Sequence, residues 1–371
     1  MATEKEFHIR RATDNDLELL DILENICFSS DLLSRRSFKN FVHSKTARLF
    51  VAADGSEIAG YILLLFKKGS SLARLYSLAV HPDYRKMGLA GQLLDFIEDA
   101  AEAKGAVYIR LEVSVENKGA IRLYESKDYV INSRKEDYYE DGTAALIYQK
   151  RVVFPDKLAV ADINFYPQTI DFTCGPACLM MAINCLNKKY TPNIDEELNI
   201  WREANTVFMA SGHPGCAGPG LALAALNRGF KVQLIANKNE IPFTEGLRKK
   251  SQKEIVMRVH NNFIKLLNDK GVDVNYGKLS FSKLIAFIKE GWVPIVLISL
   301  YRLQQSKCPH WVVVTGCDKN FIYIHDPYVD KTKSSEDLEN VNIPISRTEF
   351  MKMSKYGSRQ LRTCLLLKLP K

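Results

Sequence analysis

Leu78-Ala79-Val80-His81-Pro82-Asp83-Tyr84-Arg85-Lys86-Met87-Gly88-Leu89-Ala90-Gly91-Gln92-Leu93-Leu94 is the stretch whose reading decides the first half of this chain. A short apolar strand, Leu75 to Val80, runs into His81-Pro82-Asp83, and Pro82 stops it. The chain then enters Arg85-Lys86-Met87-Gly88-Leu89-Ala90-Gly91, and Leu89, Leu93, Leu94 and Ile97 recur with the period of a helix. Strand, small-residue turn and helix start form an anion cradle. The unpaired N–H groups of the first helical turn and the positive end of the helix dipole point at one spot. Gly88, Ala90 and Gly91 have little or no side chain, so a diphosphate can approach the backbone.

Composition sets the frame around this stretch. The 371 residues predict two domains, each long enough to bury a core. With 46% hydrophobic and 25% charged residues the chain is globular, not disordered. The start, Met1 to Glu6, is charged and leads into no apolar run, and no stretch approaches the length of a membrane span. Eight cysteines in so long a chain suit free thiols in a reducing cytoplasm. A net charge of +8 suits an anionic cofactor or an acidic partner. Charge runs such as Lys249-Lys250 read as solvated faces, not as a nucleic-acid site.

Working outward, Phe7 to Ala12 reads as a strand, and Thr13 or Asp14 caps a helix to about Phe28 with Leu17, Leu20, Ile22 and Leu23 as its stripe. Ser37 to His43 is helical. Leu49 to Ala53 and Ile58 to Phe66 are strands joined at Asp54-Gly55. After the cradle helix, which Lys104-Gly105 ends, come a strand (Ala106 to Val113), a helix (Asn117 to Ser126) and two strands (Tyr129 to Tyr139, Ala144 to Gln149).

Arg85-Lys86-Met87-Gly88-Leu89-Ala90, directly after a strand, resembles the acetyl-CoA pyrophosphate loop of the GNAT acetyltransferases, and the element order is that of a complete GNAT α/β fold. LEVSVENKGAIRLYESKDY (from Leu111), with DYYEDGTAALIY after it, resembles the bacterial ribosomal-protein alanine N-acetyltransferase branch. The resemblance implies acetyl-CoA as cofactor, bound by Arg85, Lys86, Met87, Gly88, Leu89, Ala90 and Gly91. It also implies backbone pairing of Leu78, Ala79 and Val80 with the pantetheine arm and a contact from Asn117. That family's base and acid fall on Glu112 and Tyr124. The chemistry agrees: amide formation from a thioester needs a base for the amine and an acid for the departing thiolate. The family's Phe-Pro-Trp acceptor segment is replaced here by Phe28-Ser29-Ser30-Asp31. An α-amine titrates roughly 2.6 units below lysine, a gap of about 3.5 kcal/mol, so one carboxylate base manages a peptide N-terminus more readily.

The second half opens after a seam at 154–161 that carries Pro155, Asp156 and Lys157; the expected domains are 1–153 and 162–371. Gln168 precedes Asp171-Phe172-Thr173-Cys174-Gly175-Pro176-Ala177-Cys178, which enters an apolar helix through Leu179, Ala182, Ile183 and Leu186. Cys174 thus stands at a helix N-terminus, a position that favours a thiolate, with Gly175 expected to keep its surroundings open. Downstream, Gly291 to Ile298 is a buried strand. His310 opens the strand Cys308 to Gly316, and Asp326 closes the strand Phe321 to Pro327. A hairpin joining these two strands would let the carboxylate orient the imidazole.

Gln168, Cys174, His310 and Asp326 resemble the papain-like cysteine peptidases that remove double-glycine leaders from bacteriocins. In that family a Gln six residues before the Cys helps to form the oxyanion hole, and an Asp follows the His by about sixteen; here 174 − 168 = 6 and 326 − 310 = 16. An imidazolium partner lowers a cysteine's pKa to roughly 3–4. The resemblance implies an α+β papain-like fold with a central helix against an antiparallel sheet. Cys174 to His310 is longer than in that family, with the excess expected between Asp195 and Gly271, including a basic helix from Leu247 to Lys270. Cys178 and Cys185 read as core, His325 as facing away from the triad, and His213 to Gly220 as a loop bordering a groove. No ligand pair matches a metal site. The reading is a cytoplasmic bifunctional enzyme acting on a peptide or protein substrate: an acetyl-CoA-dependent N-acetyltransferase fused to a cysteine peptidase or amidase. Two alternatives stay open for the second domain, a peptide-binding module and a cysteine-dependent ligase.

Overall fold

The computed structural model describes residues 7–55, 57–139, 141–153, 157–205, 215–241, 249–304, 308–329 and 340–370. They fall into two compact units, Met1–Phe154 and Pro155–Lys371. Residues 154–156 of the expected seam, His213 and Pro214 of the expected loop, and the start of the basic run before Lys249 lie outside the described residues.

The first unit is a seven-stranded sheet in the order β1-β2-β3-β4-β5-β7-β6. Its strands are β1 (His8–Arg11), β2 (Ala47–Asp54), β3 (Glu57–Phe66), β4 (Leu72–Val80), β5 (Tyr108–Ser114), β6 (Val130–Lys135) and β7 (Ala145–Arg151). Its helices are α1 (Leu17–Cys27), α2 (Arg35–His43), α3 (Leu89–Ala103) and α4 (Lys118–Ser126). Helices on both faces explain why β2 and β3 are apolar without alternation. Leu49, Val51, Tyr61 and Leu63 pack with Leu17, Leu20 and Leu23 of α1 and Phe38 of α2. Phe50, Ala52, Ile62 and Leu64 pack with Leu89, Leu93, Leu94 and Ile97 of α3. The expected single helix from Thr13 differs at its start: Asp14–Asp16 is a 3-10 turn, because Asp16 reaches back to the Thr13 N–H at 2.7 Å and pairs with Arg10. The feature that positions chemistry is the junction of β4 and β5. They run parallel and pair over Leu72–Arg74 with Tyr108–Arg110, then diverge, while β3 keeps its pairing to β4 as far as Val80.

The second unit is an eight-stranded sheet in the order β10-β9-β15-β11-β12-β13-β14, with β8 (Lys157–Val160) also on β12. The remaining strands are β9 (Lys231–Ala236), β10 (Val274–Tyr276), β11 (Val293–Ser299), β12 (Pro309–Asp318), β13 (Phe321–His325), β14 (Ile343–Ser346) and β15 (Thr363–Lys368). The helices are α5 (Cys174–Leu186), α6 (Ile194–Ala204), α7 (Gly218–Asn227), α8 (Lys250–Asp269), α9 (Phe281–Lys289), α10 (Tyr301–Gln304) and α11 (Arg347–Met353). Every pairing except β9 with β10 is antiparallel. Ile295, Leu297, Trp311 and Val313 face α5 to α8, whereas Val296, Ile298, Val312 and Val314 face the α9 and α11 side. Residues Cys174 to Asn184 of α5 are all buried, as a helix held between a sheet and other helices must be. Helix α7 starts at Gly218, inside the expected loop. A Cβ on Gly220 would stand 2.5 Å from the Ala204 carbonyl oxygen, so only glycine lets α7 approach the end of α6 this closely.

Candidate active sites

The split between β4 and β5 builds the first site. Beyond Arg74, the edge of β4 that carries Leu78, Ala79 and Val80 has left β5, which exposes a length of strand backbone to a ligand in the notch. At its mouth the chain turns through positive φ at Lys86 (63°) and Gly88 (79°), and α3 begins at Leu89. The N–H groups of Leu89, Ala90 and Gly91 therefore belong to a first helical turn. Arg85 and Lys86 are exposed beside it, and the Arg85 Nε donates to the Val80 carbonyl at 3.2 Å, which ties the loop to the strand end. The left-handed turn, open helix start and two cations fit the diphosphate of acetyl-CoA. Asn117 is the N-cap of α4, its Oδ1 accepting from the Ala120 N–H at 3.0 Å.

Glu112 lies on β5 past the split, on the opposite face from Leu111 and Val113. Its Oε2 accepts from the Arg74 Nε at 2.9 Å, in a nearly buried ion pair. Arg74 also donates to the Tyr138 hydroxyl at 3.1 Å and lies 5.3 Å from the Tyr76 ring. Tyr124 is buried against Tyr129 and Tyr148. Burial, then the neighbouring Tyr139 and the Glu112 charge, push its phenol well above the ordinary value of 10. Tyr139 is pushed up to about 12 by burial, by Glu112 and by Asp31. Arg74, Tyr138, Tyr139 and Asp31 thus join the predicted pair. Nothing marks Arg74 in the sequence, where it stands just before the apolar run Leu75 to Val80. The Tyr138-Tyr139 pair was visible but carried no role.

The second site is assembled by α5, β12 and the end of β13. Cys174 is the first residue of α5 and 5% exposed. The expectation that Gly175 keeps the thiol's surroundings open is corrected. A Cβ there would lie 3.0 Å from Leu221, 3.1 Å from Trp311 and 3.3 Å from Cys216, so Gly175 lets the helix start press into the core. Trp311 fixes that wall, donating through Nε1 to the Cys216 carbonyl at 3.0 Å.

His310 Nε2 stands 2.6 Å from Asp326 Oδ1, with side chains 4% and 0% exposed. The two lie two positions out of register on the β12–β13 hairpin, where Val313 faces His325. Asp326 Oδ1 also accepts the Tyr328 N–H at 3.0 Å. With Nε2 on the carboxylate, Nδ1 is the ring nitrogen left for Cys174, which bears on the imidazole by charge. Burial alone would lower the imidazole's pKa. Asp326 and Cys174 more than offset it and push the value up to about 10. Gln168 is buried; its backbone N–H donates to the Pro327 carbonyl at 2.8 Å, and its Nε2 donates to the Ile170 carbonyl at 2.8 Å. His325 is held elsewhere, with Nε2 on the Ile163 carbonyl and Nδ1 accepting the Asn342 N–H. Cys178 and Cys216 are fully buried, with thiols raised well above the ordinary value by burial first. All eight cysteines are free. Among the described residues no cluster of His, Cys, Asp and Glu could hold a metal ion, and no helix is long and apolar enough to cross a membrane.

Comparison with known proteins gives two family matches. Residues 163–368 match the model described as Peptidase_C39 like family, and residues 17–129 match the Acetyltransferase (GNAT) family. Among curated relatives, the [Ribosomal protein bS18]-alanine N-acetyltransferase of Salmonella typhimurium is 39% identical over 67 residues, 18% of this chain and 45% of that protein. The chain thus spans less than half the length of this relative. N-alpha-acetyltransferase 30 of Schizosaccharomyces pombe is 29% identical over 130 residues, 34% of this chain and 85% of that protein. Among solved structures, the ribosomal-protein-S18-alanine N-acetyltransferase from Escherichia coli covers 41% of this chain and 97% of its own, with 25% identity and a TM-score of 0.37.

Proposed function

This chain belongs to the Peptidase_C39 like family, and from that premise we propose an enzyme of two activities on peptides. The first unit, a GNAT acetyltransferase domain, transfers acetyl to a peptide or protein α-amine. The second cleaves a peptide or amide bond through an acyl-Cys174 intermediate. The boundary between them lies at Phe154 and Pro155, where the two compact units divide; Lys157–Val160 of the expected seam is strand β8, paired with β12 in the second sheet.

Acetyl-CoA supplies an acetyl group activated as a thioester. Glu112 takes a proton from the attacking amine, and Arg74 holds that carboxylate in place. Tyr124, a phenol kept protonated by burial, gives its proton to the leaving sulfur. Asp31 and Glu112, both bearing on Tyr139, supply an anionic, aromatic surround that suits an ammonium group before it is deprotonated. The names of the two curated relatives, an alanine N-acetyltransferase and an N-alpha-acetyltransferase, support an α-amine acceptor.

One observation carries the second activity: the buried His310–Asp326 pair that bears on Cys174. A cationic imidazole beside the sulfur leaves it the stronger nucleophile. The sulfur attacks the carbonyl carbon, and the second Nε2 hydrogen of Gln168 with the N–H groups at the start of α5 receives the oxyanion. His310 then protonates the departing amine, and water releases the acid. The test incubates the protein with a peptide pool, with and without acetyl-CoA, and reads masses. Acetylation at N-termini and cleavage abolished by Cys174→Ala support the proposal. Acetylation confined to lysines removes the acceptor assignment, and cleavage that survives Cys174→Ala removes the peptidase.

A further inference from the structure

Glu197 is a wholly buried carboxylate in the first turn of α6, and nothing in the mechanism above uses it. Its Oε1 accepts the Thr169 N–H at 2.9 Å and the Thr173 hydroxyl. Its Oε2 accepts the Thr169 hydroxyl at 2.9 Å and the Tyr166 hydroxyl at 3.0 Å. All four donors come from one short loop, and their positions in it are specific. Thr169 is the residue after Gln168, and Thr173 is the residue before Cys174. One carboxylate therefore grips the chain next to the oxyanion donor and next to the nucleophile.

A second path runs through the Ile170 carbonyl. It accepts the Thr173 N–H at 3.1 Å and a hydrogen from the Gln168 Nε2 at 2.8 Å. Glu197 thus reaches the Gln168 amide through three hydrogen bonds, by way of Thr173 and Ile170. Cys174 has a separate support, since α5 packs along β12 and Cys178 donates to the Trp311 carbonyl at 3.3 Å. The triad is framed by α5 and the β12–β13 hairpin, whereas Gln168 lies on the loop that Glu197 grips, with its backbone N–H on the Pro327 carbonyl. We propose that Glu197 is a positioning residue that sets the oxyanion donor Gln168 against Cys174. The inference rests on the peptidase reading of the second unit.

Two probes separate the roles without knowledge of the natural substrate. Iodoacetamide reacts with Cys174 by displacement of iodide and forms no oxyanion. p-Nitrophenyl acetate is attacked at its carbonyl, passes through a tetrahedral oxyanion, and leaves acetyl-Cys174 and p-nitrophenolate. In Glu197→Gln, the isosteric amide cannot accept all four donors. The expected result is an iodoacetamide rate at Cys174 close to wild type with acylation about 10²-fold slower, the order of loss that misplacement by about 1 Å brings. Gln168→Ala should show the same split, and the double variant should be no slower than the worse single one. Tyr166→Phe and Thr169→Val each remove one donor and keep the test usable if Glu197→Gln does not fold; smaller losses in acylation alone are expected. Glu196→Gln, whose carboxylate pairs with Arg228 instead, serves as the control. Equal falls in both rates, no fall in either, or additive losses in the double variant would overturn the positioning role. A wild-type Cys174 no more reactive to iodoacetamide than the buried cysteines would instead overturn the peptidase reading, and this role with it.

Discussion

His310 Nε2 and Asp326 Oδ1 stand 2.6 Å apart, sixteen residues distant in sequence and shut away from solvent. A buried carboxylate that orients an imidazole leaves the other ring nitrogen committed to one task. Cys178 and Cys216, near neighbours of Cys174, are held as thiols by burial. Iodoacetamide near neutral pH should therefore label Cys174 well before either of them, as peptide mapping would show. His310→Ala should remove the advantage, and Asp326→Asn should reduce it less. Equal labelling of the three cysteines in the folded protein would end the assignment.

The same pair predicts a pH dependence of stability. His310 holds its proton more tightly in the folded chain, at about 10, than at its ordinary 6.5. Its contribution is fully present below about 6.5 and is lost as pH rises through about 10. Urea midpoints should fall across that window in the wild type and fall less in His310→Gln. Parallel profiles would show that the imidazole carries no such linkage.

Cofactor affinity should depend on backbone conformation at Gly88. Its φ of 79° lies in the left-handed region, which proline, fixed near −65°, cannot enter. Gly88→Pro should abolish acetyl-CoA binding by calorimetry while iodoacetamide labelling of Cys174 is unchanged. Unaltered affinity would move the diphosphate away from the start of α3.

For acetyl transfer, Tyr124→Phe should lower kcat with little change in the KM for acetyl-CoA, as expected for a group acting in the transition state. Because its phenol titrates above the ordinary value, the wild-type rate should show no loss at the pH where an ordinary tyrosine ionises. Arg74→Ala frees Glu112 from its ion pair and should lower kcat as well. A full rate in both variants would place the acid and base elsewhere.

Packing at the α6–α7 crossing should be intolerant of one methyl group. A Cβ at Gly220 meets the Ala204 backbone at 2.5 to 2.9 Å, whereas at Gly175 it meets side chains at 3.0 to 3.3 Å. Backbone cannot step aside as a side chain can. Gly220→Ala should cost about 3 kcal/mol, at the upper end of overpacking, and Gly175→Ala less. Urea unfolding that ranked the two in the opposite order would contradict this account.

Local sequence decided much of this protein by itself. Pro82, Gly88 and the leucine spacing after it are short-range signals, and they fixed the strand, the turn and the helix start where acetyl-CoA is expected. The spacings of Gln168 to Cys174 and of His310 to Asp326 were equally legible, because each pair is separated by one loop or one hairpin. Only the tertiary structure decided the rest. Arg74 meets Glu112 because β4 and β5, far apart in the chain, run side by side and then part. Gly175 proved to be a packing residue because Leu221 and Cys216 from one distant segment and Trp311 from another converge on it. Glu197 carries no mark in the sequence beyond its place in the run Asp195-Glu196-Glu197, and became a buried clamp when α6 was laid against the Tyr166–Thr173 loop. Periodicity and turn chemistry act over a few residues and are written in order along the chain. Burial and hydrogen-bond partnership are set by segments that meet only once the chain has folded.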